Sequence, residues 1–422
     1  MKFLRNITER VAPLFEKDGR LHKLHPLYEA LDTILFSVGS VTRSAAHVRD
    51  GLDLKRMMTV VVVALVPCVF MAMYNTGYQA AWAVSQGAGL LPDWHATVFG
   101  WLGLELTPTN LFACIVFGAL HYIPVLVVVF AAGGAVEVLF GVLRKHEINE
   151  GFLVTGMLLP LILPPTIPLW QAGLGTAFGV LFGKEVFGGT GMNFLNPALV
   201  GRAFLFFAYP AQLSGEAPWI AADFLGVDGF TGATLLAQSA ADAGVLEGAS
   251  WSRAFLGLMP GSMGETSALA CLLGAVLLIL TRVGSWRTMA GVTLGTLLLA
   301  LLLNWAGSAT NPMFAVPFHW HIVLGGWAFG AVFMATDPVS SAFTNSGKWA
   351  YGFGIGALVV LIRVVNPAYP EGMMLAILFM NMFAPLIDYF VIRANVKRRL
   401  ARAPITGGTG GTDSAGGNRN AA

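Results

Sequence analysis

The stretch DGFTGATLLA, Asp228 to Ala237, sets two threonine hydroxyls among glycine and alanine in the most acidic loop of an otherwise apolar chain. Gly229, Gly232 and Ala233 leave Thr234 accessible with little steric cover; composition alone would leave it as one of the many turn threonines that face solvent. A second set consists of carboxylates at or inside apolar runs: Glu137, Glu265, Asp337, Glu371 and Asp388. An ionised carboxylate in hydrocarbon is costly and marks an ion path or a paired site, whereas at the end of a span it is an ordinary interfacial group. Taken together on both faces of a membrane, the five suit a cation route. In AAGGAVEVLFG, Gly133, Glu137 and Gly141 recur every four residues and share one helix face, with Gly134 beside it. A face without side chains admits a flat ring or, more commonly, a closely packed helix.

Other chemistry is poorly provided for. The 3 cysteines, Cys68, Cys114 and Cys271, are scattered through apolar runs and supply neither a disulfide framework nor the four ligands a cluster usually needs. The 8 histidines form no HExxH or CxxCH pattern, and the His319/His321 pair of FHWH reads as packing beside Trp320 at a membrane edge. Any electron carrier here is expected to be organic. A net charge of +2 with basic residues spread along one membrane face gives no nucleic-acid footprint.

The elements that position these residues follow from composition. With 56% hydrophobic and 11% charged residues, the chain reads as an all-α polytopic membrane protein. No Asp, Glu, Lys or Arg occurs in 57–92, 106–136, 151–183 or 288–336. Since a span needs about 20 apolar residues, several of these runs hold more than one. Splitting at Gly, Pro and polar clusters predicts ten spans near 57–77, 112–142, 151–164, 168–183, 195–209, 266–281, 288–305, 320–335, 350–366 and 372–391. With the amino terminus inside, all but Arg202, Arg253 and Arg363 of the 25 basic residues fall on the cytoplasmic side, as the positive-inside rule requires for both termini inside.

The expected organisation is a cytoplasmic arm (1–56), a first membrane half (57–211), an outer loop (212–264), a second membrane half (265–392) and a tail (393–422). The arm shows no signal-peptide pattern, and the Gly/Thr-rich end of the tail is expected to be disordered. Trp170 with FGVLF at 178–182 echoes Trp320 with FGAVF at 329–333, which suggests two related halves, parallel or inverted. After each echo an irregular polar stretch leads to an expected helix start, Asn196-Pro197 and Asp337-Pro338, read as N-cap followed by proline. Broken or half-helices at membrane depth, or ordinary caps at its surface, both fit.

On these residues the chain resembles the B subunit of the bacterial sodium-translocating NADH:ubiquinone reductases. DGFTGAT resembles that family's flavinylation motif; HPLYEALDTILFS, HVRDGLDLKRMM, AAGGAVEVLFG, GGTGMNFLNPALVGRAF, ATDPVSSAFTNSGKWAYG and PEGMMLAILFMNMFAPLID extend the likeness to about residue 400. The resemblance implies FMN bonded through its phosphate to Thr234, with Asp228 in the motif recognised by a flavin transferase. It also implies a bound riboflavin, ubiquinone as substrate, sodium as the exported ion, and the A, C, D, E and F subunits as partners in the bacterial inner membrane. Gly133, Gly134 and Glu137 would belong to the quinone region, and Glu137, Asp337 and Asp388 to the sodium path. The resemblance names no residues for riboflavin, and the irregular segment around Asn193 and Asn196 is its expected place. The competing readings are the D subunit of a ferredoxin:NAD oxidoreductase, which usually lacks the long arm, a flavin-free channel or carrier with duplicated halves, and a scaffold component of the membrane.

Overall fold

A computed structural model describes residues 54–144, 151–224, 227, 229–366 and 371–402, with Pro13 in addition. The expectations for the arm, Asp228 and the end of the tail lie outside the described residues. Within them the regular structure is helical, and the only β pairing is an isolated bridge between Gly89 and Asp223.

The helices in chain order are α1 (Leu54–Ser85), α2 (Trp94–Trp101), α3 (Leu111–Arg144), α4 (Gly151–Ile162), α5 (Leu169–Gly183), α6 (Pro197–Ala208), α7 (Leu235–Ala241), α8 (Val245–Gly248), α9 (Trp251–Leu256), α10 (Ala268–Leu280), α11 (Trp286–Ala306), α12 (Phe318–His321), α13 (Trp327–Phe329), α14 (Asn345–Val365) and α15 (Met373–Arg402). Five of them, α1, α3, α11, α14 and α15, are long and apolar enough to cross a membrane. At about 1.5 Å per residue, α1 runs roughly 48 Å, well beyond a hydrocarbon core of about 30 Å. Three of these helices carry an internal proline (Pro67, Pro124, Pro385) without being interrupted.

The other apolar segments depart from simple spans. Helices α4, α6 and α10 are 12, 12 and 13 residues long, which at about 1.5 Å per residue is too short to cross alone. The expected span 320–335 is not one helix. It is α12, a turn at Gly325 and Gly326 with φ of +62° and +66°, α13, and a π-helical turn from Gly330 to Met334. Only glycine fits at Gly326, where an added Cβ would sit 2.8 Å from the Glu265 carboxylate. The echoed sequences therefore fold differently, since the first is the continuous α5.

Irregular backbone within an apolar bundle needs internal partners, and they are present. The Gly264 and Met263 amides donate to the Leu161 and Leu163 carbonyls at 2.7 and 3.1 Å, closing the end of α4. Arg363 of α14, fully buried, donates to the carbonyls of His321, Leu324, Gly325 and Glu371 at 2.7 to 3.4 Å. Helix α1 packs against α3, α4 and α10, while α14 packs against α11 and α15.

One expected helix start holds and the other does not. Asn196 caps α6, accepting from the Ala198 and Leu199 amides at 3.0 and 3.4 Å, with Pro197 in the first turn. Asp337-Pro338 begins no helix. The Asp337 carboxylate accepts from the Val339 amide (3.3 Å) and the Ser340 hydroxyl (2.6 Å), which holds a turn instead. Helix α14 starts at Asn345 behind Thr344, whose hydroxyl accepts from the Gly347 amide at 3.1 Å.

Candidate functional site

Thr234 stands at the start of α7, and its hydroxyl oxygen accepts from the Ala237 amide at 3.2 Å. The loop before it is closely fitted. Gly232 is buried, and a Cβ there would strike the Phe224 ring and the Glu216 carbonyl. The Thr231 hydroxyl accepts from the Ala233 amide at 3.2 Å, and Gln238 donates to the Ala233 carbonyl at 2.7 Å. Thr234 is thus half-buried in a shaped surface and does not hang freely in solvent.

A cavity of about 390 Å³ opens beside it, walled by Phe206, Leu213, Trp219, Thr231, Ala233, Gln238 and the carboxylates of Glu216 and Glu371. That volume lies within the about 300–1,000 Å³ usual for small-molecule pockets, and aromatic walls with a few polar groups are the usual lining. On its other side Thr234 borders a narrow cleft with Ser262, Glu265, Gly325, Gly326 and again Glu371. Behind the cleft Arg202 of α6 holds both acids. It donates to the two Glu265 oxygens at 3.1 and 3.2 Å, to Glu371 at 2.5 Å and to Ser262 at 3.2 Å. Glu371 lines both spaces, so it connects the threonine's cavity to this buried ion network.

The residues read as a cation route are each engaged locally. Glu137 is 2% exposed and ion-paired to Lys184, itself 4% exposed at the end of α5. Lys184 also lies 4.0 Å from the fully buried Glu185. Asp388 of α15 accepts from the Phe343 amide (2.6 Å), the Thr344 amide (3.0 Å) and the Thr344 hydroxyl (2.5 Å), anchoring the chain that enters α14. Asp337 borders a small space of about 20 Å³ together with Asn196, Thr336 and Phe333. The two irregular stretches singled out in the sequence thus meet each other.

Asn193 and Asn196 spend their side chains on nearby backbone, Asn193 on Gly191 and Leu195 at 3.3 and 2.9 Å. Gly133 is filled from outside: a Cβ there would strike the Phe152 ring. Gly134 is open, with Phe152 only at 4.0 Å. His321 is buried against Arg363, whereas His319 is exposed and only its backbone carbonyl is engaged, accepting from Trp251 at 3.0 Å.

Sequence reasoning noted Arg202, Glu265 and Glu371 separately but not their association, and it did not mark Lys184 beyond its charge. Arg202 and Glu371 are 169 positions apart; an arginine inside an apolar segment was the one available signal that a partner must exist.

A profile of the NQR2, RnfD, RnfE family matches residues 41–397. The chain belongs to this family. Over 405 residues it is 57% identical to the B subunit of the Na(+)-translocating NADH-quinone reductase of Pseudomonas aeruginosa strain LESB58, a match covering 94% of this chain and 99% of that protein. The protein of the same name from Yersinia pestis is 55% identical over 414 residues, with the same coverage. That of Azotobacter vinelandii is 56% identical over 405 residues, again covering 94% and 99%. The described part of the family match runs from α1 into α15 and includes both walls of the cavity beside Thr234.

Proposed function

We propose that the chain is the B subunit, in the membrane, of a sodium-translocating NADH:ubiquinone reductase, anchoring FMN through the Thr234 hydroxyl. The observation that carries this reading is the placement of that hydroxyl on the wall of an aromatic-lined cavity, within a loop that matches the flavinylation motif. Relatives covering nearly the whole chain carry the same name. Their near-complete coverage favours it over the D subunit of a ferredoxin:NAD oxidoreductase.

The residues fit the cofactor. Phe206 and Trp219 offer flat apolar walls, Gln238 a polar group, and Thr234 the tether. When bound, FMN and riboflavin supply one-electron chemistry that the side chains lack. The chain's own part is positional: Gly232 lets the loop lie against Phe224, and Phe206 and Trp219 would cover a bound flavin with apolar surface. Glu371 next to Arg202 keeps a paired charge near the cavity. Ubiquinone would approach the open face at Gly134, and sodium would enter at Glu137 once Lys184 withdraws, then pass Asp337 and Asp388. Asn193 and Asn196 hold the backbone of the segment proposed for riboflavin. In this reading 1–56 is the cytoplasmic arm, 212–264 the periplasmic flavin-bearing loop and 393–422 a cytoplasmic tail. The membrane is the bacterial inner membrane; the A, C, D, E and F subunits and a flavin transferase are the partners.

The test is expression with a flavin transferase, followed by denaturing-gel fluorescence and peptide mass spectrometry of the loop. FMN mass on the Thr234 peptide, lost in Thr234→Ala and kept in Thr231→Ala, is the expected result. A colourless wild-type band would overturn the reading and favour a flavin-free carrier or a scaffold.

A further inference from the structure

We propose that Asp93, His95 and His121 form a binding site for a borderline divalent transition cation of the zinc type. The site lies where α2 meets α3 and shares no residue with the cavity beside Thr234 or with the cation route.

Three side chains converge there, with one donor atom from each within 4.8 Å of the others. Asp93 caps α2, with one carboxylate oxygen accepting from the Ala96 amide at 2.9 Å and the other 2.6 Å from His95 Nδ1. His121 of α3 is 2% exposed, and its Nδ1 lies 3.2 Å from the Pro165 carbonyl. A carbonyl only accepts, so Nδ1 carries the proton and Nε2 presents its lone pair. That Nε2 has no hydrogen-bond partner among the described residues. A buried acceptor left without a partner is destabilising, and a cation would satisfy it.

The surrounding pattern is that of a metal-binding histidine, which usually donates its second ring nitrogen to a carbonyl or carboxylate that fixes tautomer and orientation. His121 does so through Pro165. Two imidazoles and one carboxylate, with a position left for water, suit zinc, copper or cobalt better than magnesium or calcium, which favour all-oxygen sites. Asp93 and His95 are partly exposed, so a cation has a path from solvent.

The rings must adjust to bind. His95 lies face to face with His121 at 4.0 Å and 18°, with Trp94 on its other face at 3.8 Å. Lone pairs in stacked rings run parallel, so His95 has to turn out of the stack for both nitrogens to meet one ion. Two metal–ligand bonds of about 2.1 Å span at most about 4.2 Å, so the donors also close by under about 1 Å. This reorganisation makes the site a reversible one that pins α2 and its loop to α3.

The experiment uses the purified membrane complex, stripped with chelator and dialysed against zinc chloride, with bound zinc counted by mass spectrometry. Variants are His121→Phe, which keeps a ring against Phe117, and Asp93→Asn; His319→Ala serves as the control for histidines elsewhere. The expected result is one zinc per copy more in wild type than in His121→Phe, at least about tenfold weaker binding in Asp93→Asn, and no change in His319→Ala. Equal zinc content and affinity in wild type and His121→Phe would overturn the proposal. Should His121→Phe fail to assemble, cobalt(II) added to wild type decides: a visible band bleached by zinc and absent in Asp93→Asn supports the site, and no band refutes it.

Discussion

The buried pair of Glu137 and Lys184 sets up a double-substitution test whose size follows from its surroundings. Both side chains are withdrawn from water, and the ammonium also lies 4.0 Å from the Glu185 carboxylate. Taking away one member of a buried ion pair leaves a charge without its partner and costs about 3–5 kcal/mol, while replacing both members with neutral groups of similar volume is close to neutral. Lys184→Met removes the cation shared by two carboxylates and should be the most damaging. Glu137→Gln leaves Lys184 with Glu185 nearby and should cost less. The double variant leaves no unmatched charge at position 137 but still takes the ammonium away from Glu185, so it should recover part of the Lys184→Met loss, a coupling of at least about 2 kcal/mol. A difference of 3–5 kcal/mol is a factor of about 150 to 5,000 in an equilibrium constant. The assay is the midpoint of thermal inactivation of the solubilised complex at one fixed scan rate, with the half-saturating sodium concentration of turnover as second readout. Lys184→Met is expected to have the lowest midpoint, with the double variant above it and far from the sum of the two single losses. A double variant that loses the sum of the two single effects would show the pair uncoupled and refute the reasoning.

Three further outcomes follow from other contacts. Gly232→Val should drive the loop off Phe224 and the Glu216 carbonyl and reduce FMN attachment severalfold while the bundle stays folded; unchanged gel fluorescence would show the close fit to be irrelevant. Asp388→Ala removes an acceptor of three hydrogen bonds at the entry to α14, each worth about 0.5–1.5 kcal/mol, so it should lower thermal stability and raise half-saturating sodium. If half-saturating sodium stays at its wild-type value, Asp388 only anchors the chain. Arg363→Met strips donors from three carbonyls in the broken segment and from that of Glu371 and should abolish assembly, whereas Trp251→Phe, which removes one donor to the His319 carbonyl, should cost about 1 kcal/mol. Normal assembly of Arg363→Met would mean that the broken backbone finds other partners.

Most of the bundle was legible because it depends on near neighbours in the chain. Long uncharged runs of Leu, Val, Ala and Phe satisfy their backbone within a helix in an apolar medium, so the segments 112–142 and 168–183 reappear almost unchanged as α3 and α5. Asn196-Pro197 was readable since an N-cap and its proline act within three residues. The Thr234 motif was legible as residue types, but its half-buried place beside a cavity was not, because the walls come from Phe206 in α6, Trp219 in the loop before the motif and Glu371 far along the chain. The tertiary structure alone decided which charges meet: Arg202 with Glu265 and Glu371, and Lys184 with Glu137, 47 positions apart. It likewise decided that Asp337 holds a turn and that 320–335 breaks at Gly325 and Gly326. The physical reason is common to both. Local backbone preference is written within a few residues, whereas a buried charge or a broken helix survives only where the rest of the fold delivers a partner, and which partner arrives is a property of the packed bundle.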